Sequence, residues 1–277
     1  MTTPDEVTSA GRLPVKHSLT LAYGLSVVVA LLVAVASIAG LLYHTTLYPT
    51  EALLLSKAPT DAVNLAVGLP ALLGSMWLVR RGRLVGLLLW PGALLYVLYI
   101  YLAYAIGVPF NALFLLYLLL IPLSAYTLIG LVASIDAGEV RRRFAGGVPA
   151  RAAGGILVGL AILFGLMQVA EVSVALAGGT TIDTLYLAPM VADFAVMIPA
   201  WLIGGFFLWR RLALGYVAGT GLLFLGSLLF IGITFVLIFP AFYSASPVDV
   251  GAVFMMLVMG SICFVPFALF VRGATKA

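Results

Sequence analysis

Long apolar stretches alternate with short polar ones along this chain, and the apolar stretches have the length of membrane spans. A helix crossing a hydrocarbon core about 30 Å thick needs about 20 mainly apolar residues. Eight runs meet that requirement, at about 18 to 43, 61 to 80, 84 to 106, 109 to 134, 152 to 177, 185 to 209, 212 to 239 and 250 to 272. The pattern predicts an all-α polytopic helical membrane bundle of eight transmembrane helices. Residues 1 to 16 are polar and read as loose. Between the first two runs, Glu51-Ala52-Leu53-Leu54-Leu55-Ser56-Lys57 has an apolar part too short to cross, and reads as a short amphipathic helix lying in the outer interface.

Basic residues set the orientation, because Lys and Arg flanking spans are retained on the cytoplasmic side. With the N-terminus inside, Arg12, Lys16, Arg80, Arg81, Arg83, Arg141, Arg142, Arg143, Arg151, Arg210, Arg211, Arg272 and Lys276 are cytoplasmic, and Lys57 alone lies outside. The chain therefore reads as a multi-pass protein of the cytoplasmic membrane with both termini cytoplasmic. The run from Leu19 to Tyr43 is too long for a signal-peptide core and follows a leader containing Asp5 and Glu6, so it is read as a retained span.

Composition agrees: hydrophobic residues make up 64% and charged ones 9%, against roughly a quarter charged in soluble domains. The net charge of +4 then reflects topology and attraction to anionic lipid, not nucleic acid. A single cysteine, Cys263, excludes an intrachain disulfide and any cysteine-rich metal site, and is read as a packing residue of the last helix. His17 and His44 sit at the two membrane faces, which argues against bis-histidine haem in the core. No cofactor is expected.

One segment recurs. Asn64-Leu65-Ala66-Val67-Gly68-Leu69-Pro70-Ala71, running on to Arg80-Arg81, is matched without gaps by Asp193-Phe194-Ala195-Val196-Met197-Ile198-Pro199-Ala200, running on to Arg210-Arg211. The shared register of polar residue, proline, arginine and glycine predicts a duplication within a single membrane domain over 1-277. Residues 1-134 and 152-277 would be four-helix halves, and 135-151 a cytoplasmic linker. An even number of spans per half makes this a parallel four-plus-four repeat.

The candidate chemistry lies in spans 5 and 6. An ionisable group within a span costs about 2.5–3.5 kcal/mol on insertion scales and is a functional hypothesis by default. Asp193 and Glu171 fall at similar depth on consecutive helices, and Gln168 lies one turn from Glu171. With both faces turned inward they would form a polar pocket, joined by Asn64 if span 2 lies opposite span 6, and by the hydroxyls of Tyr96 and Tyr99. Asp193 reads equally as a strut between helices, Glu171 as an interfacial side chain, and the tyrosines as belt or packing residues. Pro70 and Pro199 free the carbonyls of Ala66 and Ala195, either for a ligand or simply as kinks. Gly82 to Gly86 and Gly155 to Gly159 have the spacing of close helix contacts.

The stretches Trp77-Leu78-Val79-Arg80-Arg81-Gly82, Leu89-Trp90-Pro91-Gly92, Asn111-Ala112-Leu113-Phe114-Leu115-Leu116-Tyr117 and Asp193-Phe194-Ala195 resemble those of a group of uncharacterised, "hypothetical" prokaryotic polytopic membrane proteins with eight predicted spans. The resemblance implies a shared architecture and no activity.

The leading expectation is a small transporter or permeation protein, proton or cation coupled, for a small ion or small polar substrate. A non-transporting sensor or assembly subunit is the alternative, and a lipid- or quinone-handling enzyme comes third, with no nucleophile–base or metal constellation to carry it. Expected partners are membrane lipid, and a homo-oligomer or protein partner, with no nucleic acid.

Overall fold

The computed structural model describes residues 13–144, 146–244 and 247–276; Asp5, Glu6 and Arg12 of the leader lie outside them. Among the described residues, eight helices are long and apolar enough to cross a membrane. Span 1 is Thr20–Leu42, span 2 Glu51–Arg80, span 3 Leu84–Gly107, span 4 Phe114–Ser134, span 5 Ala150–Gly178, span 6 Thr184–Trp209, span 7 Ala213–Tyr243 and span 8 Val250–Thr275. The protein is an all-α, multi-pass membrane bundle. One end of the bundle, the arginine-rich face, carries Arg80, Arg81, Arg83, Arg141, Arg142, Arg143, Arg151, Arg210 and Arg211 in its connections. The connections 43–50, 108–113, 179–183 and 244–249 make the opposite, arginine-poor face.

Span 2 departs from expectation by starting at Glu51. The stretch expected to lie flat in the interface is the first part of a 30-residue span. Thr50 caps its N-terminus by accepting from the Leu53 N–H at 3.3 Å. Leu53, Leu54 and Ala58 are buried in the bundle core, and Lys57 and Asp61, which would favour an interfacial helix, are turned inward as well. Apolar periodicity cannot register a helix whose polar residues are satisfied by other helices.

The leader's last described residues are also more ordered than expected. The Lys16 N–H donates to the Ser134 carbonyl and the Asp136 N–H to the Pro14 carbonyl, each at 2.8 Å, pinning 13–16 to the end of span 4. The linker that follows contains a short helix, Ala137–Arg143, capped by Asp136. Val140 and Phe144 anchor it in the core. Glu139 accepts from Arg142 and Arg143, and these contacts hold its carboxyl below the usual carboxylate range.

Span 3 is the hub, packing against spans 2, 4, 6 and 7. Its contact with span 7 is made by glycine on glycine: a Cβ on Gly92 would lie 2.3 Å from the Gly221 carbonyl oxygen. Only a missing side chain permits that approach. Gly92 and Gly221 are 129 positions apart, the separation of Asn64 from Asp193. The same separation relates the turns that end spans 2 and 6. Gly82 has φ +69° and Arg211 φ +56°, and the Arg83 N–H reaches the Leu78 carbonyl as the Leu212 N–H reaches that of Phe207, both at 2.9 Å. Span 3 packs on span 6, and span 7 on span 2.

The expected glycine contacts divide. Gly86 lies against the backbone of Ser75 and Val79, whereas Gly155 and Gly159 face open space, and it is Gly154 that packs, on Gly205 and Trp209. Cys263 is fully buried, beside Gly226.

Candidate functional site

The recurring segment adopts one backbone device twice. Proline lacks an N–H and its ring crowds the carbonyl four residues back, so an unbroken α-helix through Pro70 or Pro199 would be strained. Each helix responds with a five-residue π-turn, Asn64–Gly68 in span 2 and Asp193–Met197 in span 6. The Leu69 N–H bonds to the Asn64 carbonyl, and the Ile198 N–H to that of Asp193. The extra residue per turn widens the helix where its polar side chain projects, a feature common at functional sites. The prolines thus do more than kink.

At Asp193 the structure brings together part of the expected group. The Gln168 amide donates to Asp193 Oδ2 at 2.5 Å, and the Tyr99 hydroxyl of span 3 lies beside the carboxylate. Gln168 Oε1 is buried with no partner among the described residues. Asp193 is half-buried. Glu171, one turn along span 5, is exposed and has no polar contact among the described residues, so it stands apart from the group.

Asn64 and Tyr96 belong to a different cluster. The Tyr96 hydroxyl donates to Asn64 Oδ1 at 2.8 Å, and Asn64 Nδ2 donates to Ser37 Oγ of span 1 at 3.3 Å. Ser37 also neighbours Asp61, which is the centre of the cluster and only 1% exposed. Tyr48 donates to one carboxylate oxygen of Asp61 at 2.5 Å and Tyr104 to the other at 3.1 Å. The rings of Tyr101 and Tyr117 complete the cage, with centroids 5.5–5.9 Å from their neighbours. Gly40 makes room, since a Cβ there would lie within 2.0 Å of Asp61 Oδ2. One turn before Asp61 on the same helix, the Lys57 ammonium lies over the Tyr104 ring, 5.1 Å from its centroid.

A cavity of about 610 Å³, walled by spans 2, 3, 6 and 7 in the arginine-poor half, lies against the tyrosines next to the two carboxylates, though neither carboxylate lines it. Tyr96, Tyr99 and Tyr104 of span 3 all line it; Tyr96 and Tyr104 bond Asn64 and Asp61, and Tyr99 lies beside Asp193. Much of the wall is built from residues 129 positions apart: Thr60 with Pro189, Ile100 with Leu229, Tyr104 with Ile233, and Lys57 with Tyr186.

Asp61, Lys57, Tyr48 and Tyr104 are the polar residues that sequence reasoning missed. Lys57 and Asp61 stand four apart on a stretch with buried leucines, an i,i+4 signal that was available. Placing Asp61 at the edge of a span, where charge is cheap, hid it. Comparison with protein-family models, curated proteins and solved structures finds no match to this chain.

Proposed function

We propose that this protein is a small transporter or permeation protein, coupled to protons or cations, whose substrate occupies the cavity against the tyrosines next to Asp61 and Asp193. The carrying observation is that three tyrosines of one central helix line that cavity, two bonded to polar groups of span 2 and the third beside Asp193 of span 6. A change at either carboxylate has a one-side-chain path to whatever fills the cavity. Asp193 is the coupling site on this reading: its carboxylate lies half-buried beside the unpartnered Gln168 carbonyl, an acceptor pair suited to a proton or small cation.

The reading includes a duplicated scaffold with both termini cytoplasmic. Support comes from the paired π-turns, the paired left-handed turn residues and the contact of Gly92 with Gly221, all at one separation. Equivalent residues meeting each other are what a two-fold relation requires at its axis, and crevices between repeats are where such bundles bind substrates. The arginine-rich face would be cytoplasmic.

The test is gradient-driven uptake of labelled small organic ions into proteoliposomes, with a gradient-free control. Asp193→Asn abolishes gradient-driven uptake and leaves thermal unfolding unchanged; undiminished uptake overturns the reading. A non-transporting sensor or assembly subunit is favoured by one fact, that every partner of Asp61 is internal. Absence of uptake for any ion, together with a stable partner on the Arg141 to Arg143 helix in gentle pull-downs, would support it.

A further inference from the structure

Lys57 is buried with one counter-charge near it, Asp61 one turn along, which lies beyond ion-pair distance and has its oxygens bonded elsewhere. It is 6% exposed and sits six residues, or about 9 Å at 1.5 Å per residue, along span 2 from Glu51. Among the described residues its ammonium has neither an ion pair nor a hydrogen bond, and its neighbour is the face of the Tyr104 ring. Asp61, one turn along, is taken up by Tyr48 and Tyr104. A buried cation with three donors and no acceptor is held at a cost unless something supplies the acceptor. Lys57 lines the cavity, so the acceptor has a place to come from.

The remaining wall says what else that molecule must be. Beyond Lys57 the cavity is lined mainly by Leu55, Ile100, Leu185, Leu229, Val236 and Leu237. Tyr186 and Ile233, 65% and 42% exposed, flank the mouth. A free inorganic anion would gain Lys57 and then lose its water to apolar surface, whereas an anion carrying a hydrocarbon chain satisfies both. The cationic end also lies at the depth where headgroups meet hydrocarbon.

We propose that the cavity binds an amphipathic anion, a carboxylate or phosphate on an apolar chain, with the anionic group on Lys57 and the chain lying toward Leu229 and Val236. The inference deepens the proposed function by naming the substrate class of the same cavity, and rests on reading that cavity as the substrate site.

The test is equilibrium binding to the purified full chain in neutral detergent, with a fluorescent long-chain fatty acid and the matching long-chain alcohol as probes. Wild-type protein binds the acid at least tenfold more tightly than the alcohol. Lys57→Met loses that preference while keeping the alcohol affinity, and Lys57→Arg restores it. Equal binding of the acid by wild type and Lys57→Met, or no preference in wild type, overturns the proposal. Gly232 lines the cavity, and a Cβ there would meet only Val63 at 3.6 Å, so Gly232→Phe fills the space and removes both ligands; retained binding also overturns it. Should Lys57→Met fail to fold, the wild-type preference and Gly232→Phe decide. Nanodiscs with and without anionic phospholipid separate the sources: competition by the lipid identifies a bilayer headgroup, and its absence identifies a free amphiphile. Binding is read without a gradient, so a Lys57-dependent site with no uptake removes the transporter and keeps the ligand, and uptake indifferent to Lys57 does the reverse.

Discussion

Asp61 lies three residues before the π-turn of span 2 and Asp193 opens the π-turn of span 6, and the two are built for different duties. Asp61 is sealed, with a tyrosine hydroxyl on each oxygen and 1% exposure. Asp193 is half-buried, beside the Tyr99 hydroxyl and held by a glutamine whose own carbonyl has no partner among the described residues. The π-turns are alike in each preceding a proline, and the surroundings differ because Tyr48 of the 43–50 connection and Tyr104 of span 3 bond Asp61 while Gln168 of span 5 bonds Asp193. A saturated carboxylate holds helices together, whereas an unsaturated one can exchange a partner.

The largest test of that contrast is removal of each carboxylate. Asp61→Ala leaves the Tyr48 hydroxyl buried without an acceptor and the Tyr104 hydroxyl with only the Lys57 carbonyl at 3.2 Å, so about 2–3 kcal/mol of stability is lost. Asp193→Ala gives up fewer bonds at a wetter position and costs about 1 kcal/mol, near the typical value for an interhelical bond in a membrane. Thermal unfolding in detergent compares the two, and equal losses would break the distinction between strut and site.

Next is the space reserved for Asp61. Gly40→Ala drives a methyl to within 2.0 Å of Asp61 Oδ2 and 2.7 Å of the Tyr48 hydroxyl, an overpacking worth about 1–3 kcal/mol. Gly24, on the same span, has open space where a methyl would go, with nothing within 4 Å of it, and Gly24→Ala is neutral or slightly stabilising. If both substitutions behave alike in the same unfolding assay, the Asp61 cage is not rigid.

The smallest effect on stability, under about 1 kcal/mol, comes from Pro70→Ala and Pro199→Ala, which regain one backbone hydrogen bond. Their consequence is geometric, because an ordinary α-turn would re-aim the preceding side chains. Uptake falls more for Pro199→Ala than for Pro70→Ala if Asp193 is the coupling group. Equal falls would make the two halves functional equals.

The membrane class and seven of the eight span positions were legible because twenty apolar residues in a row have few other solutions. Span 2 was legible only from its middle onward. Its first turns carry Glu51, Lys57 and Asp61, and the place of Asp61 inside depends on hydroxyls at Tyr48 and Tyr104. Gln168 with Asp193 was legible from helical spacing on adjacent helices. Glu171 was not separable from them, since a residue one turn away differs only in which way its face turns.

By itself the sequence determined what is local: the spans, their ends at arginine and glycine, and the paired prolines that disturb spans 2 and 6. The tertiary structure alone decided which polar groups meet. Asn64 goes to Ser37 and Tyr96, Asp193 to Gln168 and Tyr99, and Lys57 faces a cavity. Hydropathy measures each residue's cost in lipid, and that cost is set by partners from helices dozens of positions away. The recurring segment stands on both sides of this line, since its own residues carry the turn and the neighbouring spans dictate what the turn presents.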